Sequence, residues 1–327
     1  MTATEQTLAT DTKEWTETLV VRERRMVADR VVELRLASRD GSVLPMWEPG
    51  SHIDLILPSG LVRQYSLAGN PQDRSTYRLG VLCERDGRGG SVEVHDALPV
   101  GATVIVRGPR NNFPLLPAQR YAFVAGGIGI TPLIPMLEAA TAAGADWTLH
   151  YGGRTRSSLA FADELVERFG ERVFLHPQDT HGLLPVTELV AVGDRGLVYC
   201  CGPEPLLDAI RVAGAAAGLA AGQVNVERFT PREVEAAWVG AFEVELATTG
   251  DVLTVPEDRT IVDVLRDHDV LVFTSCEEGM CGTCETKVLS GTPDHLDSFR
   301  SPEQHDVDGT MAVCVSRALT PRLVLDI

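Results

Sequence analysis

The chain has 327 residues, a length that predicts two or three domains. Hydrophobic residues make up 44% of it and charged residues 23%, an ordinary globular composition that excludes wholesale disorder. The formal net charge of -17 argues against nucleic acid as a partner.

The predicted elements change character along the chain. After a polar tail over residues 1–16, short strands lie between residues 17 and 117, with apolar alternation at Val32, Leu34 and Leu36. Gly, Pro and Asp turns separate these strands, which predicts an antiparallel β-barrel. Strands and helices then alternate over residues 118–228, which predicts an α/β domain with a parallel sheet.

A polar linker over residues 229–240 leads to a third predicted domain, 241–327. This domain opens with two strands, then a helix, then a cysteine-rich loop. Helices are predicted up to Ala143 and over Leu159–Phe169, Leu206–Ala217 and Ile261–Asp267.

The sequence predicts a cytoplasmic protein. Seven cysteines is an odd number, and the first 15 residues contain neither a basic nor an apolar signal region. Tyr121–Leu137 carries no charge, but its five Gly and Pro residues would break a lipid-facing helix. We therefore expect no transmembrane segment and no membrane partner. This stretch instead predicts a buried strand, a glycine loop and a helix.

The most specific motif is a set of cysteines near the C-terminus. A Cys-x4-Cys-x2-Cys run followed by a distant fourth cysteine has the plant-type spacing of a 2Fe-2S cluster. Gly279 and Gly282 let a tight loop surround such a cluster. A structural zinc site is the alternative, but it usually needs a second close pair of ligands. Scattered buried cysteines are the other alternative. The predicted ligands are Cys276, Cys281, Cys284 and Cys314.

A glycine loop follows the first predicted strand of the α/β domain. Gly126–Pro132 has the sequence GGIGITP and opens a helix, so its amides suit a diphosphate. It is not a G-x-G-x-x-G fingerprint, and a simple tight turn is the alternative. Cys201-Gly202-Pro203 ends a later strand in the same way. Two such loops at strand carboxyl ends predict a ligand crevice.

A third motif lies in the predicted barrel. Arg63–Leu67 (RQYSL) and Arg88–Ser91 (RGGS) together offer a guanidinium and a Gly-Gly-Ser turn to one phosphate. Tyr65 offers a ring that could stack on a flat heterocycle. The alternative is an ordinary strand tyrosine beside a surface arginine.

These three motifs, in this order, resemble the phthalate dioxygenase reductase family over nearly the whole chain from about Glu17. The resemblance implies a flavin-binding barrel, an NAD-binding α/β domain and an α+β ferredoxin domain of the β-grasp type. With its ferredoxin domain at the C-terminus, the chain resembles the branch of the family that binds FMN. The implied activity is that of an NADH-dependent oxidoreductase, in which electrons pass from NADH through FMN and the cluster to a separate Rieske-type oxygenase acting on a small substrate.

The resemblance also implies which residues bind each cofactor. For FMN they are Arg63, Tyr65, Ser66, Leu67, Val81, Leu82, Arg88, Gly89, Gly90, Ser91 and Phe229. For NAD they are Gly126, Gly127, Gly129, Thr131, Pro132, Arg154, Cys201, Gly202 and Pro203.

Within these sets, Thr131 and Cys201 are expected nearest the nicotinamide, although Cys201 is alternatively a small buried apolar residue. Arg154 and Arg156 leave NADPH open, while the family favours NADH. No acid or base catalyst is required. Five histidines are expected to be structural: His52, His95, His150, His176 and His181.

The C-terminal charge predicts how the electron acceptor docks. Seventeen acidic and six basic residues lie from Ala236 onward, which suits a terminal oxygenase with a basic patch. Solubility alone is the alternative purpose of these carboxylates. The carboxylates expected around the cluster are Glu277, Glu278, Glu285, Asp294 and Asp297.

The protein is expected to be monomeric. Alternative functions are a reductase for a haem-thiolate monooxygenase, a reductase of free flavin or iron, and a non-enzymatic electron carrier with degenerate nucleotide domains.

Overall fold

The computed structural model of the protein describes residues 14–220, 222–231, 236, 237 and 240–327, apart from the side chain of residue 303. Most of the predicted tail and half of the predicted linker therefore lie outside the described residues. The described chain forms three main sheets in sequence order, each with its own strands. Among the described residues, no helix is both long and apolar enough to cross a lipid bilayer.

The first sheet is antiparallel and barrel-like, with strand order β4-β3-β6-β1-β2-β5. Leu34 and Leu36 point into its core, as the alternation predicts. Val31 belongs to a different apolar cluster, which it shares with the second sheet, so β2 is buried on both faces. The strands are β1 (Thr16–Ala28), β2 (Val31–Ser38), β3 (Ser51–Ile56), β4 (Val62–Ser66), β5 (Tyr77–Leu82) and β6 (Thr103–Asn111), with helix α1 (Gly90–Ala97) before β6.

Helix α1 is a difference from the sequence prediction, which has only a Gly-Gly-Ser turn at this position. Gly89 has a φ of 80°, and the helix begins at the next residue. This left-handed conformation suits glycine, which has no Cβ to clash with the backbone.

The second sheet is parallel throughout, with order β11-β10-β7-β8-β9, and it confirms the predicted α/β class. The strands are β7 (Arg120–Gly126), β8 (Asp146–Gly153), β9 (Val173–Pro177), β10 (Gly196–Cys201) and β11 (Val224–Glu227). The helices are α2 (Leu133–Ala142), α3 (Ala162–Phe169), α4 (Gln178–His181), α5 (Val186–Leu189) and α6 (Glu204–Ala216).

Two helix starts in this domain differ from prediction. Helix α3 begins at Ala162 rather than Leu159, because Arg156–Ser158 forms a short 3₁₀ turn first. Helix α6 begins at Glu204, with Pro205 in its first turn, where its missing amide proton costs no hydrogen bond.

The third sheet is mixed, with order β13-β12-β18-β14-β16, and β15 and β17 form a small separate pair. Its strands are β12 (Phe242–Leu246), β13 (Val252–Val255), β14 (Glu285–Ser290), β15 (Pro293–Asp294), β16 (Thr310–Ala312), β17 (Arg317–Ala318) and β18 (Arg322–Leu325). Its helices are α7 (Ile261–Asp267) and α8 (Pro302–Asp308), both with capping boxes. Helix α7 has the predicted bounds because Thr260 and Asp263 cap each other's amides.

A buried arginine joins the first two domains. Arg78 on β5 is 7% exposed and donates to Glu33 on β2, with 3.0 Å between Nε and the carboxylate. The same guanidinium binds Glu164 on α3 through two hydrogen bonds of 2.9 and 2.6 Å. Its Cζ also lies 4.5 Å from the centre of the Phe161 ring. Arg78 therefore fixes the nucleotide domain against the barrel.

We expect Arg78→Ala to lower the free energy of unfolding by about 3 kcal/mol, because buried Glu33 would keep only the more exposed Arg25 and Arg35 as partners and Glu164 would lose its bidentate partner. Urea denaturation measures this change. The control is Arg120→Ala, which breaks the exposed Arg120–Asp146 pair and should cost less than about 1 kcal/mol. Equal losses in both variants would contradict the assignment.

Candidate functional site

The four predicted cluster cysteines converge. Cys281, Cys284 and Cys314 are buried, and Cys276 is partly exposed. The sulfurs of Cys276 and Cys281 lie 3.3 Å apart. Cys284 and Cys314 contact each other through their side chains, and hydrogen bonding from Cys314 lowers the pKa of Cys284. The four thiols thus form two close pairs at one place in the third domain.

Backbone amides of the loop point at these sulfurs. The amides of Glu278 and Met280 donate to the Cys276 sulfur, and that of Thr283 donates to Cys281, each at 3.4 Å. Gly279 and Gly282 have φ of 67° and 73°. A Cβ on Gly279 would lie 2.9 Å from the Asp297 backbone. Amide donors favour the thiolate form that iron requires, so this cradle fits a four-thiolate 2Fe-2S cluster.

A cleft lies where the three domains meet, with about 800 Å³ of empty space open to solvent. Its wall draws on β4, on the end of β11 and on the cysteine loop. Its lining residues include Arg63, Tyr65, Ser66, Arg88, Phe229 and Cys276.

The structure brings five of the predicted flavin residues into this cleft: Arg63, Tyr65, Ser66, Arg88 and Phe229. Gly90 lies beside them, since a Cβ there would be 2.5 Å from Arg63 Cγ. Gly89 precedes it, and the Ser91 hydroxyl accepts from the Glu84 amide at 3.0 Å. By contrast, the side chains of Leu67 and Val81 are fully buried in the barrel core, and Leu82 packs on the cluster shared with the second sheet.

The cleft fits a flavin on two observations. Arg63 and Arg88 present guanidinium groups beside the start of α1, where an anion is favoured. His52 also lines the cleft, and its buried Nε2 has no hydrogen-bond partner among the described residues. Burial, together with the charge of Arg110, lowers the pKa of His52 to about 4, so the ring is neutral. Sequence reasoning treats His52 as structural, because nothing local marks it as lining a cleft.

The two predicted nucleotide loops also meet. Strands β7 and β10 are adjacent and parallel, which brings Gly126–Pro132 against Cys201–Pro203. A Cβ on Gly129 would lie 2.2 Å from the Cys201 carbonyl oxygen, and one on Gly126 would lie 2.6 Å from Pro203 Cδ. Gly127–Ile130 forms a short 3₁₀ turn before α2. Only glycine permits this approach of the two backbones.

Thr131 and Arg154 occupy different parts of this region. Thr131 is buried, and its methyl group would meet a Cβ placed on Gly80 of the barrel at 2.9 Å. Thr131 therefore lies at the boundary between the first two domains. Arg154 is exposed in the loop after β8, whereas Arg156 pairs with Asp163.

Cys201 has an acidic neighbour that sequence reasoning missed. Its sulfur lies 4.0 Å from a carboxylate oxygen of Glu227, at the end of β11. Glu227 lines the cleft, and burial raises its pKa to about 8. Burial and the Glu227 charge also raise the pKa of Cys201, so its thiol is neutral and unreactive. The edge strand β11 is only four residues long, too short to give a periodic signal.

The acidic residues around the cysteine loop differ in exposure. Glu277 is 44% exposed and pairs with Arg266, while Glu278 pairs with Arg88 across the cleft. Glu285 accepts from the Thr310 hydroxyl, and Asp294 accepts from the Ala237 amide.

Asp297 requires a correction. It is 2% exposed, and its carboxylate lies 3.1 Å from Nε2 of the buried His305. Because this carboxylate is used to bind a buried histidine, Asp297 is not part of an exposed negative surface.

Fold and site together define an iron–sulfur oxidoreductase with flavin and nucleotide domains. The 2Fe-2S iron-sulfur cluster binding domain family matches residues 244–319. "Phenoxybenzoate dioxygenase subunit beta" of Ectopseudomonas oleovorans is 41% identical over 298 residues, which are 90% of this chain and 92% of the relative. The solved phthalate dioxygenase reductase, described as transferring electrons from pyridine nucleotides to [2Fe-2S], is 34% identical with a TM-score of 0.69. That match covers 95% of this chain and 98% of the other.

The chain belongs to the phthalate dioxygenase reductase family, and it is an electron-transfer reductase of an oxygenase system with sites for flavin, NAD and a 2Fe-2S cluster. It is also similar to an intact type IV self-sufficient cytochrome P450 monooxygenase, at 40% identity and a TM-score of 0.89 over 95% of this chain. The chain spans only 41% of the length of that P450 structure.

The raised pKa of Glu227 predicts a pH dependence of stability. Its folded-state pKa of about 8 exceeds the usual value of about 4.3. Glu227 therefore stabilises the fold fully below about pH 4.3, and this contribution is lost as the pH rises towards about 8. Denaturation midpoints compared between about pH 5 and pH 9 should show that Glu227→Gln lacks this decline. The control Glu171→Gln, an exposed residue in the same domain, should follow the wild-type profile.

Proposed function

We propose that this chain oxidises NADH, passes the electrons through FMN to its 2Fe-2S cluster, and delivers them singly to a terminal Rieske-type oxygenase. The single observation that carries the proposal is the cleft shared by all three domains. Arg63 and Tyr65 of the barrel, Glu227 of the nucleotide domain and Cys276 of the cysteine loop line it together. A flavin bound there would accept two electrons as hydride and release them one at a time, which joins pyridine-nucleotide chemistry to iron–sulfur chemistry.

The residues present support FMN as the flavin. Arg63 donates to the backbone carbonyls of Val62 and Arg88, which holds its guanidinium beside the start of α1. Gly90 leaves room for the Arg63 stem. This arrangement offers donors to one phosphate, with Tyr65 and Phe229 in the same cleft to contact the ring system.

The nucleotide region supports NADH as the hydride donor. The paired glycine loops bring backbone amides to the edge where β7 and β10 end, which suits a diphosphate. Thr131 lies beside Gly80 of the barrel, and Cys201, the last residue of β10, faces the loop that contains Gly129. Arg156 is already paired with Asp163, so an additional 2′-phosphate would have to compete for it.

The acceptor is proposed to dock on the loop before Cys276. Leu271 and Phe273 are 97% and 79% exposed there, and Glu277 is exposed just beyond. Since three residues span at most about 11 Å, a protein on Phe273 lies close to the first cluster ligand. The similarity to the P450 structure makes a haem-thiolate acceptor the second candidate. Either acceptor would present an apolar surface bordered by basic side chains.

An anaerobic titration with NADH tests the electron path. The protein loaded with iron, sulfide and flavin should lose its flavin absorbance and its iron–sulfur absorbance together as NADH is added. Heat release of the bound flavin should yield FMN. A flavin that bleaches while the oxidised cluster bands remain would contradict the electron path, and release of FAD would contradict the flavin assignment.

The charge of the docking surface predicts a salt dependence. Reduction of cytochrome c, a basic one-electron acceptor, should slow as ionic strength rises, whereas reduction of anionic ferricyanide should not. Glu277→Gln should flatten the cytochrome c dependence. Glu23→Gln removes the same charge from a barrel residue that is 69% exposed, and it should leave the cytochrome c dependence unaltered. Identical salt profiles for the two variants would contradict steering by this surface.

A further inference from the structure

The third domain is attached to the barrel by polar contacts. Its apolar core consists of residues from Phe242 to the C-terminus, with no member from the first two domains. The nucleotide domain is different, since its main core includes Val31, Ala68 and Phe113 of the barrel segment. The position of the third domain therefore depends on the partly exposed Arg88–Glu278 ion pair and on a few specific hydrogen bonds.

The first of these bonds involves Asp54, a fully buried carboxylate on β3. The hydroxyl of Ser275, the residue before the first cluster ligand, donates to Asp54 Oδ2. Arg107 donates to the same oxygen at 3.0 Å, and Gln64 donates to Oδ1 at 3.1 Å. Arg110 also donates to Oδ1. Among the described residues that donate to Asp54, Ser275 is thus the one that belongs to the third domain.

Asp54 is held as a charged acceptor. Burial alone would raise its pKa, but the charge of Arg110 and the hydrogen bonds of Arg110, Ser275 and Gln64 lower it overall. A buried carboxylate with both oxygens occupied has little freedom to move. It therefore presents Ser275 with an acceptor at a fixed point in the barrel.

The second bond comes from the end of β6. The side-chain amide of Asn112 donates to the backbone carbonyl of Cys281 at 3.1 Å. Cys281 is the second cluster ligand, and Asn112 itself lines the flavin cleft. The barrel therefore binds the cysteine loop on both sides of the segment 276–280, next to two ligands.

We propose that these two bonds, Ser275 to Asp54 and Asn112 to Cys281, form a loop contact that positions the cluster for electron transfer from the flavin. This inference rests on the proposed function, and it adds the residues that control the electron transfer between flavin and cluster within the chain. In that step one electron leaves the reduced flavin and reduces the oxidised cluster by one unit, with no bond formed or broken in the protein. Ser275 and Asn112 are positioning residues, since neither ligates iron through its side chain.

The variants Asn112→Ala and Ser275→Ala test the loop contact in the full-length, cofactor-loaded chain. The matched control is Asn225→Ala, because Asn225 also donates a side-chain amide to a backbone carbonyl, that of Gly222, at 3.1 Å. Stopped-flow absorbance separates flavin reduction by NADH from the later reduction of the cluster. Hydrogen exchange of residues 276–284 reports the loop itself, and the electron paramagnetic resonance spectrum reports whether the reduced cluster is intact.

For Ser275→Ala the expected result is unchanged flavin reduction and an intact cluster spectrum, with cluster reduction slowed on the order of tenfold or more, the scale of loss caused by a small misplacement of reacting groups. Asn112→Ala also alters the wall of the flavin cleft, so its cluster reduction is expected to fall by a similar factor relative to its own rate of flavin reduction. Exchange of residues 276–284 should rise in both variants, and Ser275→Thr should restore the wild-type behaviour. Cluster reduction at the wild-type rate in both alanine variants would overturn the proposal. If NADH fails to reduce the flavin even in wild type, the proposed function is wrong instead. In that case the hydrogen-exchange measurement still tests the loop contact. Unchanged exchange of residues 276–284 in both variants would overturn it.

Discussion

Carboxylates paired with arginine in the protein interior and at its domain boundaries set how the three domains of this protein meet. Glu33 and Glu164 share Arg78 between the barrel and the nucleotide domain. Asp54 gathers two barrel arginines and a serine of the cysteine loop. Desolvated charges add little net stability, but they tolerate few alternative geometries. The cleft between the domains therefore has a defined shape, and the chemistry proposed for it depends on that shape.

The sequence predicts the parts of this protein that depend on local patterns. The alternation of strands and helices predicts the parallel sheet. The cysteine spacing predicts the cluster site, where the structure brings the four sulfurs together as two close pairs. Helix α7 has its predicted bounds because its capping residues are adjacent in sequence. The glycine loops are also visible in the local sequence, and their glycines have separate reasons: Gly127 has a φ of 55°, and Gly129 leaves room for the Cys201 backbone.

Features that depend on distant partners could not be predicted. Asp54 and Ser275 are 221 positions apart, and no local pattern connects them. Glu227 has a raised pKa because of where β11 ends, and Asp297 is buried because His305 lies opposite it. From sequence alone, a charged residue is expected to lie at the surface. A carboxylate that is buried by pairing with a distant residue is therefore predicted wrongly.

The shared cleft has a consequence for how the protein is made. Its wall includes Cys276 and Phe299, which belong to the third domain and therefore leave the ribosome after the barrel. Domains generally fold as units from the N-terminus during synthesis, so the barrel can form while this wall is still missing. The proposed flavin site is then open on the side that the third domain later covers. Synthesis in this order therefore allows a flavin to enter the cleft before the iron–sulfur domain closes over it.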